Sequence, residues 1–96
     1  MAKEIDFAEI ADGIGRTVAE KNRAYGDSFS KAGEILRVLY PGGIRPDQYT
    51  DALGVIRVID KLFRISTDKD AFGESPWKDI AGYGILGVAN SGKENK

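Results

Sequence analysis

The fold class the sequence predicts is all-α, a compact four-helix domain, and three observations carry that prediction. Apolar residues recur at helical spacing in four separate segments of the 96-residue chain. Glycine or proline breaks lie between those segments, and no stretch shows the apolar–polar alternation of a half-buried strand. No internal repeat is visible.

The first segment places a helix from Lys3 to about Arg23, with Ile5, Ile10, Ile14 and Val18 on one side and Glu4, Glu9, Asp12, Arg16, Glu20 and Lys21 between them. Gly13 and Gly15 interrupt it, each at about 1 kcal/mol against alanine. Their absent side chains are expected to admit a neighbouring helix. They form no phosphate loop, because no strand precedes them and the full glycine spacing is missing.

Ala24-Tyr25-Gly26 ends the pattern, and Asp27 or Ser28 is expected to cap a second helix with its side chain. That helix runs to about Tyr40 with Phe29, Ala32, Leu36, Leu39 and Tyr40 as its apolar stripe, and Pro41-Gly42-Gly43 stops it. A third helix begins near Pro46 and continues to about Ile65. Tyr49, Leu53, Ile56, Ile59 and Phe63 with Val55, Val58 and Leu62 give it a wide apolar arc, which predicts contact on more than one side and a central position. Ser66 to Glu74 reads as a loop. Ser75-Pro76 then reads as a cap and first residue of a fourth helix, with Trp77, Ile80, Ala81, Tyr83, Gly84, Ile85 and Val88 as its packing surface. Gly82, Gly84 and Gly87 again predict close approach by another helix. Residues 1–90 are expected to form one domain and 91–96 a flexible tail.

Composition narrows the chemistry. Cys and His are absent, which removes disulfides, thiol nucleophiles, the usual zinc sites and histidine acid–base catalysis. A net charge of −1 gives no overall attraction to duplex nucleic acid or to an anionic membrane, so any anion site is local. No signal peptide or membrane span is readable, and a cytoplasmic location is expected. A domain this short shields only about 60–65% of its unfolded surface, so a homo-oligomer is expected.

Asp60 shares a side of the third helix with Ile56 and Phe63 and therefore faces packed neighbours. An unpaired buried carboxylate is costly, so Asp60 needs a partner: an intrahelical ion pair with Arg57 or Arg64, or a functional one. Arg57, Lys61 and Arg64 fall at i, i+4 and i+7. Such a stripe is a solvated face, or a set of donors for phosphate oxygens. Lys21, Arg23, Tyr25 and Lys31 put a ring among cations at the first helix break. There Tyr25 either plugs the junction or stacks a nucleobase. Glu20, Glu34, Asp60, Glu74 and Asp79 could hold Mg²⁺ only if two or three converged, although Asp79 in a first helical turn also suits the helix dipole.

The runs Lys21 to Phe29, Arg57 to Ile65, Glu74-Ser75 and Asp79 to Tyr83 resemble small phage-encoded helical proteins. They are similar to the nucleotide-modification-associated proteins and, more distantly, to the MazG-like all-α nucleotide pyrophosphohydrolases. The latter resemblance implies an oligomer in which helix-borne acids bind Mg²⁺ and cut a nucleoside triphosphate to monophosphate and pyrophosphate. The MazG-type EExxE signature is missing here, so Glu20, Glu34, Asp60 and Asp79 would have to supply the metal ligands.

In length, helix count and style the chain is also similar to the anti-CBASS sponges, phage helical oligomers that sequester cyclic di- and trinucleotide immune signals without cleaving them. That resemblance implies no catalytic residue, no cofactor and no metal, and a site in the host cytoplasm. Tyr25, Lys31, Arg57, Lys61 and Arg64, with Arg16, have the chemistry such a pocket needs. Sequestration of cyclic oligonucleotides is therefore the expected function. A Mg²⁺-dependent pyrophosphohydrolase and a structural, protein-binding helical module are the alternatives.

Overall fold

The computed structural model describes residues 4–94. Four α-helices follow one another: α1 (Phe7–Ala24), α2 (Ser28–Leu39), α3 (Tyr49–Asp68) and α4 (Pro76–Glu94), with short 3₁₀ turns at Pro46–Gln48 and Ala71–Gly73. No strand occurs among the described residues. The fold class is all-α.

Helix α1 starts later than the hydrophobic spacing suggests, because the Asp6 carboxylate accepts a hydrogen bond from the Glu9 N–H at 3.0 Å and fixes the first turn. Lys3 lies outside the described residues. At the other end the chain reverses through two left-handed residues, Gly26 (φ 60°) and Asp27 (φ 59°). Asp27 does precede α2, but it caps through its backbone and not its side chain: its carbonyl accepts from the Ser30 and Lys31 N–H groups. A side chain added at Gly26 would strike Thr67 near the end of α3, so glycine lets the α1–α2 junction lie against that helix.

The residues 41–45 turn leads into the 3₁₀ turn that Pro46 opens, and α3 proper begins three residues later than the proline suggests. Helix α3 is central, packing against α1, α2 and α4. It also runs three residues beyond Ile65, to Asp68, into the segment expected to be loop. Ser75 then caps α4 as expected, its hydroxyl accepting from the Lys78 N–H at 3.2 Å, and Pro76 is fully buried. Helix α4 continues through Ser91 to Glu94, whose segment was expected to be tail, while residues 95–96 lie outside the described residues.

Few apolar side chains are enclosed. Ala24, Ala52 and Ile59 are the buried hydrophobic residues among those described. The α2 stripe differs from expectation: Ala32, Ile35 and Leu36 are half-buried, whereas Phe29 is 92% exposed. The close approach expected at Gly13, Gly15, Gly82, Gly84 and Gly87 does not occur among the described residues, since a Cβ at any of them would meet open space.

Candidate functional site

Helix α3 carries Arg57 and Lys61 one turn apart on one face, and α4 carries Asp79 and Tyr83 one turn apart on its own. The two helices run antiparallel, so ascending positions on one meet descending positions on the other. Lys61 Nζ accordingly lies 3.4 Å from Asp79 Oδ2, and the Arg57 guanidinium carbon lies 5.7 Å from the centre of the Tyr83 ring. Both contacts follow from a single helix register.

Lys61 also reaches the α1–α2 junction, where its Nζ is 5.7 Å from the Tyr25 ring centre. Tyr25 is held there as the C-cap of α1, its N–H donating to the Lys21 carbonyl at 2.9 Å. Lys61 therefore joins three elements through one ammonium group. Its side chain is only 15% exposed, which strengthens its attraction to the tyrosine face relative to a fully solvated pair.

Arg57 and Tyr83 line a cleft of about 420 Å³ between α3 and α4, together with Thr50, Asp51, Leu53, Gly54, Leu86, Gly87, Ala89 and Asn90. That volume is in the range of small-molecule pockets, about 300–1,000 Å³. The lining is mostly apolar, with one guanidinium and one ring at its wall. The sequence places Tyr83 on the packing surface of the fourth helix and gives no separate signal for Asp51. The matching i, i+4 pairs 57/61 and 79/83 were the available signal, since antiparallel packing of neighbouring helices brings such pairs together.

Arg64 stands apart from the cation stripe. Its side chain is fully buried at the end of α3, where the guanidinium donates to the carbonyls of Lys69 (3.2 Å), Ala71 (2.9 Å) and Glu74, and to the Glu74 carboxylate at 3.2 Å. Only Nε lacks a partner. This residue fastens the 3₁₀ turn between α3 and α4, and enclosure removes it from the set able to meet a ligand. With Arg64 turned to Glu74 and Arg57 to Tyr83, the intrahelical ion pair, one of the two kinds of partner open to Asp60 in the sequence, does not form. Asp60 is half-buried and has no hydrogen-bond or ion-pair partner among the described residues.

Lys31 on α2 and Arg16 on α1 are exposed. Glu20 and Glu34 are exposed as well, and among the described residues no three Asp or Glu side chains converge in a way that could hold a metal ion. No helix of the described residues is long and apolar enough to cross a membrane.

No protein-family model, curated protein or solved structure matches the chain.

Proposed function

We propose that the protein binds a nucleotide and retains it uncleaved, with cyclic di- or trinucleotide signals as the ligand class. One observation supports this reading above the others: Arg57 and Lys61, a turn apart on α3, each lie 5.7 Å from a tyrosine ring, and one of the pairs walls an open cleft. Rings offer stacking worth about 1–3 kcal/mol per base, and guanidinium and ammonium groups attract phosphate oxygens. In this reading Tyr83 and Tyr25 stack bases, Arg57 and Lys61 hold phosphates, and Lys31 and Arg16 are exposed cations at the periphery. A phosphate drawn to Lys61 competes with Asp79.

The test is calorimetric titration with cyclic dinucleotides, cyclic trinucleotides and nucleoside triphosphates with Mg²⁺, followed by heating and recovery of the ligand. Saturable binding and intact ligand are expected, with Arg57→Ala and Lys61→Ala each weakening affinity at least about tenfold, the effect of losing roughly 1.4 kcal/mol of charge-assisted contact. Full affinity in both variants would refute the site, and no binding of any nucleotide would favour the structural module.

The hydrolase reading is favoured by one feature, the half-buried and unpartnered carboxylate of Asp60 on the helix adjoining Asp79. Release of pyrophosphate that disappears in Asp60→Asn would establish it in place of sequestration.

A further inference from the structure

Two helix faces carry the pattern of helix-packing surfaces and meet no other helix among the described residues. On α1, Ile10, Gly13, Ile14 and Thr17 follow the i, i+3, i+4, i+7 pattern of a docking face, extended by Val18. Ile10, Ile14 and Val18 are 52%, 59% and 58% exposed. On α4, Ala81, Gly84, Ile85 and Val88 repeat the pattern, with Ile85 and Val88 71% and 75% exposed. Each face carries a glycine with nothing within 4 Å of where its Cβ would be.

The size of the deficit identifies the occupant. A compact monomer of 10.4 kDa exposes about 5,400 Å², whereas this chain exposes 7570 Å². Its radius of gyration is 17.6 Å, against about 12.5 Å for a compact chain of this length. The excess is roughly 2,200 Å² per chain, part of it at Phe29 and Val38 of α2, and covering even half of it on each of two copies would bury roughly 2,200 Å² in total, within the class of obligate homodimers at about 2,000–5,000 Å². Helix α1 shows the need most plainly. Its last turn is anchored by buried Ala24 and by the Arg23–Asp68 pair, but its earlier turns contain two glycines and would be marginal alone in water. A net charge of −1 leaves little repulsion between identical chains.

We infer that a second copy of this chain covers the α1 and α4 faces, forming a closed homo-oligomer in which α1 becomes part of a shared core. This interface does not depend on nucleotide binding. A different protein would have to match two faces on separate helices, whereas a symmetric partner buries both faces on both copies.

The test uses the absence of cysteine from the chain. Light scattering of the purified protein at micromolar concentration should give at least twice 10.4 kDa. Thiols introduced singly by Ile14→Cys and Ile85→Cys should react with a maleimide at least about tenfold more slowly than one introduced by Asp12→Cys on the opposite side of α1, as expected for sites exposed only by local opening. A mass of 10.4 kDa would overturn the inference and assign the faces to another partner. An oligomer whose Ile14→Cys and Ile85→Cys thiols react as fast as the control would overturn the choice of faces. If Cys at either position prevents folding, the unmodified protein still decides, because a melting temperature independent of concentration contradicts an obligate oligomer.

Discussion

Replacing Arg64 with methionine keeps most of the side-chain volume and removes the guanidinium that closes the α3–α4 turn. The carbonyls of Lys69, Ala71 and Glu74 would then lose a common donor in a place where the side chain is wholly enclosed. Removing one partner from a buried charged network costs about 3–5 kcal/mol. The lower end applies, because the Glu74 carboxylate is 59% exposed and water can replace its lost partner. A loss of about 3 kcal/mol lowers the melting temperature of a domain this size by roughly 12–24 °C. Circular-dichroism melts of Arg64→Met beside Glu74→Gln would separate the two contributions. The glutamine variant should lose clearly less than Arg64→Met, because its amide oxygen can still accept from the guanidinium and the three carbonyl contacts stay in place, although the enclosed charge loses its counter-ion. If Glu74→Gln destabilises as much as Arg64→Met, or Arg64→Met melts within a few degrees of the unaltered protein, the turn is not held by the carbonyl contacts.

Three further outcomes are expected. Gly26→Ala should cost about 1–2 kcal/mol for its left-handed conformation and more from the collision with Thr67. Adding Thr67→Gly should recover the second part only, which a double-mutant cycle of chemical denaturation would read. Asp6→Ala should lower stability by about 1 kcal/mol through loss of the α1 cap, and Asp6→Asn should restore most of it; equal melts for all three would show that the cap contributes nothing. Lys61→Met should cost little stability, since Asp79 can turn to water, yet should weaken nucleotide binding in titrations at low salt more than at high salt.

The all-α class and the order of four helices were legible in the sequence because both depend on local signals. Apolar spacing, Pro41-Gly42-Gly43 and the Ser75-Pro76 start each act within a turn or two of chain. Helix ends were less legible where a distant group decides them. Helix α3 continues past Ile65, where Arg64 gathers carbonyls from the following turn, and Asp27 caps α2 by its backbone because Gly26 and Asp27 reverse the chain together. The glycines of α1 and α4 predict close approach by another helix, yet among the described residues no atom of another element lies within 4 Å of where their Cβ atoms would be.

For the candidate site, the sequence determined which side chains have useful chemistry: cations a turn apart on α3, a tyrosine at the first helix break, and no histidine or cysteine. Only the tertiary structure decided their roles. It turned Arg64 inward to hold a loop, set Lys61 between Tyr25 and Asp79, and made Tyr83 the partner of Arg57 at a cleft wall. The physical reason is range. Helix formation is settled by neighbours within four residues, whereas a charge's role depends on which groups from other helices reach it and how much water they exclude.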